Sequence, residues 1–384
     1  MTNPPVLKTR PVHGGNIAWA AEVAGCSPFD VLDFSASICP LGPPDRAIAA
    51  LHDSIAHLSR YPDPQYTALT AALAQHHQIS PEWVLPGNGA AELLTWAGRD
   101  LAAQDATYLI TPAFRDYGRS LHAFHGRQVC CPLPLAEAEH NAVDWAGLIT
   151  RHLRHDPRQC GLLLNTPHNP TGLLIDPAAI APLMDQFGLV VIDEAFMDFL
   201  PPEAQHSFIA TAIADTRVVV LRSLTKFYSL PGLRLGYAIA HPDRLQRWQQ
   251  WRDPWPVNTL AEAAAIAALP DETYAQRVWA WLPPTRHRLS DGLRRLPGLY
   301  PFPGSANYLL VRTTVSATAL QRALLQRHCI LIRDCLSFPE LGDAYVRIAV
   351  RTEADCDRLL AALADVLSEP LPAPESARDL PRDR

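Results

Sequence analysis

The sequence lacks an excess of positive charge. Its 33 Lys and Arg stand against 39 Asp and Glu, for a formal net charge of -6 and a pI near 6.2. A nucleic-acid or membrane-surface binder would need clustered cations, so neither partner is expected. Long apolar runs are missing too. The most apolar longer stretch, TLAEAAAIAAL, carries Glu262 and is too short to span a bilayer. The opening MTNPPVLKTRPVHGGN has no apolar core of the signal-peptide kind, which makes the cytoplasm the expected location. Eight cysteines are scattered without a C-x-x-C pair, although Cys130 and Cys131 are adjacent. That is neither a disulfide framework nor a zinc pattern, and it suits a reducing compartment. Fifteen histidines include no H-E-x-x-H spacing, so no metal site is expected. No internal repeat is visible.

What is present is a chain of 384 residues, 48% hydrophobic, enough for a large core and two domains. Residues 1–45 are rich in Pro and Gly and read as an N-terminal arm with one short helix near IAWAAEVAG. From 46 to 255, short apolar runs alternate with helical stretches. TYLI precedes TPAFRDYG, GLLL precedes NTPHNPTG, LVVI precedes DEAFMDF, and VVVL precedes RSLTKFY. Continuous apolar runs of this length predict a mostly parallel α/β sheet with helices on both faces. Each run gives way to polar residues where such sheets bind ligands. Residues 256–368 read as a smaller α/β domain, with strands at ANYLLVR, ILIR and YVRIAV and helices near 316–328 and 353–367. The tail 369–384, rich in proline and mixed charge, reads as disordered.

Four strand ends carry chemistry. Lys226 follows an apolar strand, with Ser223 three residues before it and Arg234 eight after. A lysine amine becomes a Schiff-base nucleophile when burial or nearby cations lower its pKa, and Arg222 and Arg234 are near in sequence. Ser223, Thr225 and the planar fork of Arg234 suit a phosphate. Asp193 ends a buried strand, where a carboxylate is costly unless it meets a cation such as a protonated pyridine nitrogen; capping of the next helix is the alternative. Glu194 beside it reads as packed or solvated. Asn169, between Pro167 and Pro170, presents an amide able to donate to a phenolate oxygen, or simply forms a turn. In LPGNGAAELL, Gly89 and Ala90 open a helix whose backbone N–H groups can approach an anion. Phe114 can stack on an aromatic ring or fill core.

Taken together, these residues resemble the fold-type-I, pyridoxal-phosphate (PLP) dependent superfamily of class I and II aminotransferases. The match runs through Gly-rich turn, aromatic, Asn-Pro-Thr-Gly, Asp, Ser-x-x-Lys and Arg over some 150 residues. The resemblance implies that Lys226 carries the cofactor aldehyde, Asp193 pairs with the ring nitrogen, and Asn169 touches the ring hydroxyl. It implies a phosphate held by Ser223, Arg234 and the Gly89 and Ala90 amides. Tyr61, in RYPDPQY, would reach the neighbouring subunit's cofactor phosphate, which implies a homodimer. Phe196 stands where many relatives carry a tyrosine bonded to the ring oxygen.

A narrower resemblance covers the chain up to about residue 367. HGGN, LDFSASICPLG, RYPDPQY, DEAFMDF, LRSLTKFYSLPGLRLGY and YVRIAVR are similar to the L-threonine-O-3-phosphate decarboxylases of cobalamin biosynthesis. The implied reaction yields (R)-1-amino-2-propanol O-2-phosphate and CO2 from a small phosphorylated amino acid. Arg347 corresponds to the superfamily's carboxylate-binding arginine, and Arg333, Arg351 and His13 lie in segments shared with the decarboxylases. Ser37 and Cys39 replace asparagines of the family's DFSANINPLG, which leaves serine phosphate open as a substrate. Two alternatives remain: a histidinol-phosphate-type aminotransferase, which uses the same residues, and a non-catalytic PLP-binding regulator, disfavoured because no basic helix-turn-helix pattern appears.

Overall fold

A computed structural model describes residues 10–374; the last ten residues of the predicted disordered tail lie outside it. The described chain divides into two compact units. The larger comprises Ile38–Pro284 and Pro303–Asn307; the smaller combines the segment up to Ser37, Thr285–Phe302 and the chain from Tyr308 onward.

Seven strands form the sheet of the larger unit. Their order is Val84–Asn88, Leu235–Ile239, Val218–Ser223, Leu189–Asp193, Gly161–Asn165, Thr107–Thr111 and Gln128–Pro132. All pairs are parallel except those made by Leu235–Ile239, which runs antiparallel to both neighbours. The three central runs, GLLLN, LVVID and VVVLRS, are buried at every position, as a sheet covered on both faces requires. Helix Gly89–Ala102 lies over one face, where Leu93, Ala97 and Leu101 join Leu163, Val191, Val219 and Trp248 in one cluster. This packing brings the C-terminal ends of the parallel strands, and the motifs that follow them, to one edge of the sheet.

The sequence pattern changes after 255, but the units divide within the helix Glu272–Arg294. The reason is local packing: helix Thr259–Ala268 uses small residues to pack closely against Asp45–Ser54 of the same unit. The N-terminal segment, in turn, belongs with the smaller unit. There Leu32–Asp33 pairs in parallel with Ile330–Leu331, and helix Ile17–Ala24 packs Ala20 against Leu325 and Leu331. The main sheet of the smaller unit is antiparallel, in the order Arg333–Asp334, Tyr345–Ala349, Tyr308–Thr313, Leu299–Pro301.

Candidate functional site

The strand Val218–Ser223 ends at the first hydroxyl of RSLTKFY, and a single helical turn, Leu224–Phe227, follows. That turn places the Lys226 Nζ 3.4 Å from the Ser223 Oγ and 4.9 Å from the Phe196 ring centre. Ser223 Oγ and Thr225 Oγ1 share a hydrogen bond of 2.8 Å, and both residues are buried. The lysine turn is braced from outside. The Cys39 N–H donates to the Lys226 carbonyl at 3.0 Å, and the Ser229 hydroxyl donates to the Cys39 carbonyl. Tyr274 brings its hydroxyl within 2.9 Å of the Phe227 and Gly42 carbonyls.

On the neighbouring parallel strand, Asp193 ends its own run and is 9% exposed. Its Oδ2 accepts the Tyr117 hydroxyl at 2.7 Å, and its Oδ1 accepts the Ala195 N–H at 2.9 Å. The second bond is a short-range turn contact and not the helix cap foreseen as an alternative, since the next helical turn, Met197–Phe199, starts from Phe196; the first is a tertiary contact. Tyr117 was not among the expected site residues, and its ring meets Phe114 edge to face at 5.6 Å. Asn169 is buried in the turn after Gly161–Asn165, and its backbone N–H donates to the Asn165 Oδ1 at 2.6 Å. His168 is fixed beside it by a 2.8 Å contact between Nδ1 and the Thr171 hydroxyl, and burial pushes its imidazole down to about 4.

Gly89 opens the helix Gly89–Ala102 with φ +73, a conformation that favours glycine. A Cβ there would fall 2.6 Å from the Arg234 Nη2, so the glycine lets a guanidinium approach the helix start directly. Gly236 does the same for the strand beside it, since a Cβ would collide with the Ala90 nitrogen. Arg234 is exposed, in the left-handed region at φ 58, and donates to the Pro231 carbonyl at 3.2 Å. Backbone N–H groups, a helix N-terminus and a guanidinium therefore meet in one place, which is the chemistry a phosphate requires. Tyr61 is 78% exposed and stacks on Trp255 with ring centres 4.3 Å apart.

Arg222 is not the cation near Lys226 that sequence proximity suggested. It is fully buried and points away into its own carboxylates: Nε donates to Glu194 at 2.8 Å, Nη1 to Asp198 at 2.5 Å and Nη2 to the Ser207 hydroxyl at 3.0 Å. Burial alone would lower its pKa, but Glu194 and Asp198 more than reverse this and keep it charged. Glu194, read from sequence as packed or solvated, is completely buried and accepts the Phe208 N–H at 2.6 Å.

The smaller unit has its own cluster. Arg333 and Arg347 are register partners on adjacent antiparallel strands. Burial, and then the charge of Arg347, push the Arg333 guanidinium down to about 10. Burial also lowers Arg347, which donates to the Ser35 carbonyl at 3.4 Å and lies 4.9 Å from the Tyr308 ring centre. Arg333 donates to the Ser337 hydroxyl at 2.7 Å and to the Val12 carbonyl. A narrow cleft here is lined by His13, Gly14, Ser35 and Arg333. Gly14 is required because any Cβ would strike the Ser35 carbonyl, and the Gly15 N–H donates to the Ser35 hydroxyl at 2.8 Å. Ser37 is 5% exposed and its hydroxyl has no hydrogen-bond partner among the described residues. Arg351 is engaged differently, with Asp355 at 3.0 Å and the Asp33 carbonyl at 3.2 Å. Among the described residues, no group of His, Cys, Asp or Glu is placed to hold a metal, and no helix is long and apolar enough to cross a membrane.

The sheet order of the larger unit, with lysine, aspartate and asparagine following its parallel strands, defines a fold-type-I protein. The chain belongs to the class I and II aminotransferase family, whose model matches residues 30–363. It is 42% identical over 371 residues to the threonine-phosphate decarboxylase of Salmonella typhimurium, covering 94% of this chain and 98% of that protein. It is 30% identical to the adenosylcobalamin biosynthesis bifunctional protein CobDQ of Leptospira interrogans, across 93% of this chain and 41% of that longer protein. The crystal structure of the histidinol-phosphate aminotransferase from Clostridium acetobutylicum superposes with a TM-score of 0.79 at 26% identity, covering 88% of this chain and 99% of that one.

Proposed function

We propose that the protein is a PLP-dependent carboxy-lyase that converts L-threonine O-3-phosphate to (R)-1-amino-2-propanol O-2-phosphate and CO2 in cobalamin biosynthesis, in the cytoplasm. The observation that carries this reading is the likeness to the Salmonella decarboxylase over nearly the whole of both chains. The Leptospira relative supports the pathway.

The residues fit the cofactor, because Gly89 leaves the helix start and Arg234 open to a phosphate that any other residue would obstruct. Bound PLP supplies an electron sink for the pair left at Cα when a bond there breaks. Lys226 would hold the aldehyde, and its Nζ is the group that would carry the proton destined for Cα. Asp193 keeps a proton at the ring nitrogen, and its orientation is set by Tyr117 and the Ala195 N–H. Asn169 donates to the ring hydroxyl, where Phe196 offers no hydroxyl of its own. Ser223, Thr225, Gly89, Ala90 and Arg234 would hold the phosphate, and Phe114 would stack on the ring. Tyr61 serves the site of a second copy in a homodimer; its exposure and its stacking on Trp255 support that reading.

Arg333 and Arg347, with His13, Ser37 and Arg351, take the two anionic groups of the substrate. Opposed guanidinium groups repel until an anion lies between them, so the pair favours a substrate with dense negative charge.

The test is a paired assay. O-phospho-L-threonine should release CO2 without consuming a 2-oxo acid, and O-phospho-L-serine should be slower. Preference for the serine compound would overturn the named substrate. Amino exchange between histidinol phosphate and 2-oxoglutarate, with no CO2 from either phosphoamino acid, would establish an aminotransferase instead. For the dimer, mixing Tyr61→Phe with Lys226→Ala subunits should restore activity; verified heterodimers that stay inactive would refute the shared site.

A further inference from the structure

We infer that Asn165 is a positioning residue that ties Asp193 to Asn169 through its side-chain amide. The inference rests on the reading above, in which those two residues would address the ring nitrogen and the ring hydroxyl of the cofactor.

Asn165 closes the run GLLLN, buried at every position, on a strand in parallel register with the one that ends at Asp193. An apolar residue would extend that run at no cost, whereas a buried carboxamide is unfavourable unless both of its ends are bonded. Both are. Its Nδ2 donates to the Asp193 carbonyl at 2.8 Å, and its Oδ1 accepts the Asn169 N–H at 2.6 Å. The partners dictate the amide's orientation, since a carbonyl needs a donor and an N–H needs an acceptor. One rigid planar group thus joins the backbones of two residues 24 apart in sequence, as the numbering shows. The Thr166 N–H adds a second donor to the Asp193 carbonyl at 3.0 Å. With Tyr117 on one oxygen of the Asp193 side chain and Ala195 on the other, the aspartate is held at the backbone and at the carboxylate. Leucine or alanine at 165 would supply neither bond, and aspartate only the acceptor.

The test uses the holoenzyme and reads the visible absorption band of the bound cofactor as pH is varied. Asn165→Ala should move the midpoint of that titration by about half a unit to one unit. It should lower kcat about tenfold or more while KM changes little. Asn165→Asp should restore the Asn169 half only, giving an intermediate kcat. Asn165→Ala combined with Asn169→Ala should cost less than the product of the two single losses, because positioning of the Asn169 side chain no longer matters there, while the loss of the Asp193 tie should persist. A purely structural role would lower the melting temperature and leave the midpoint in place. That outcome, in either folded variant, overturns the inference. If both variants fail to fold, hydrogen exchange at the wild-type Asn169 amide decides: slow exchange is expected, and exchange at the rate of an open loop refutes the bond. Borohydride fixation of PLP to Lys226 in the wild type separates the two levels. Its absence would sink the proposed function, whereas its presence with an unmoved midpoint would sink only the role of Asn165.

Discussion

The strand ends of the larger unit and the arginine strands of the smaller one treat buried charge in opposite ways. In the first, Arg222 is matched by Glu194 and Asp198, and Asp193 by Tyr117 and a backbone N–H. In the second, Arg333 and Arg347 face each other across a strand pair, and each is lowered by burial. A charge balanced within the fold makes scaffold; like charges held together favour an anion between them, which is the use the proposed function gives them. Under the proposed function, the same residue type, arginine, serves rigidity in one unit and recognition in the other.

The largest expected effect tests the scaffold's purpose. Lys226→Ala should abolish both turnover and reductive attachment of PLP. The chain has only two lysines, Lys8 and Lys226, so mass mapping of the label leaves little ambiguity. A label on Lys8 would break the comparison at its root.

Next is the balanced charge itself. Glu194→Gln leaves the Arg222 guanidinium buried with one carboxylate removed, a loss of about 3–5 kcal/mol in unfolding free energy. Denaturant unfolding measures this, and a loss below about 1 kcal/mol would show that Asp198 and Ser207 suffice.

Acid should test the same unit. His168 has its pKa lowered from 6.5 to about 4, so the unfolded chain binds the extra proton first as pH falls. Its contribution is intact above about 6.5 and is lost progressively toward 4. The melting temperature should therefore fall across that window, and less steeply in His168→Asn. Equal slopes would place the acid sensitivity elsewhere.

The receptor side predicts smaller numbers. Arg347→Gln should remove a charge-assisted contact of roughly 1.5–3 kcal/mol, or about ten- to a hundredfold in kcat/KM, with the folded state little affected. Arg351→Ala sharpens the contrast, because its guanidinium is engaged by Asp355 in a part-exposed i,i+4 pair. Its effect on stability should stay within about 1 kcal/mol. A kcat/KM loss as large as that of Arg347→Gln would make Arg351 a substrate ligand despite its local partner.

Much of the site was legible because its chemistry is local in sequence. Ser223, Thr225 and Lys226 span one turn, and the strand before them is a plain apolar run. Gly89 announces itself at a helix start. What could not be read were contacts between segments distant in the chain. Tyr117 meets Asp193 across 76 positions, and Arg222 finds Glu194 across 28. Proximity in sequence suggested that Arg222 acts on Lys226, but successive residues of a strand point to opposite faces, so Arg222 turns away from Ser223, the strand residue beside Lys226, and toward Glu194, Asp198 and Ser207.

The apolar runs by themselves determined a mostly parallel sheet with polar successors at one sheet edge, while the fold type and the cofactor followed from the resemblance of the motifs in their order to a known family. Hydrophobic periodicity alone also located the helices Ala317–His328 and Glu353–Leu367 closely. The tertiary structure decided which charges are silent and which remain to act. Whether an arginine finds a carboxylate or another arginine depends on strand register and on which segments pack together. A one-residue slip would turn every side chain of a strand to its opposite face, and no pattern within a single segment records that choice.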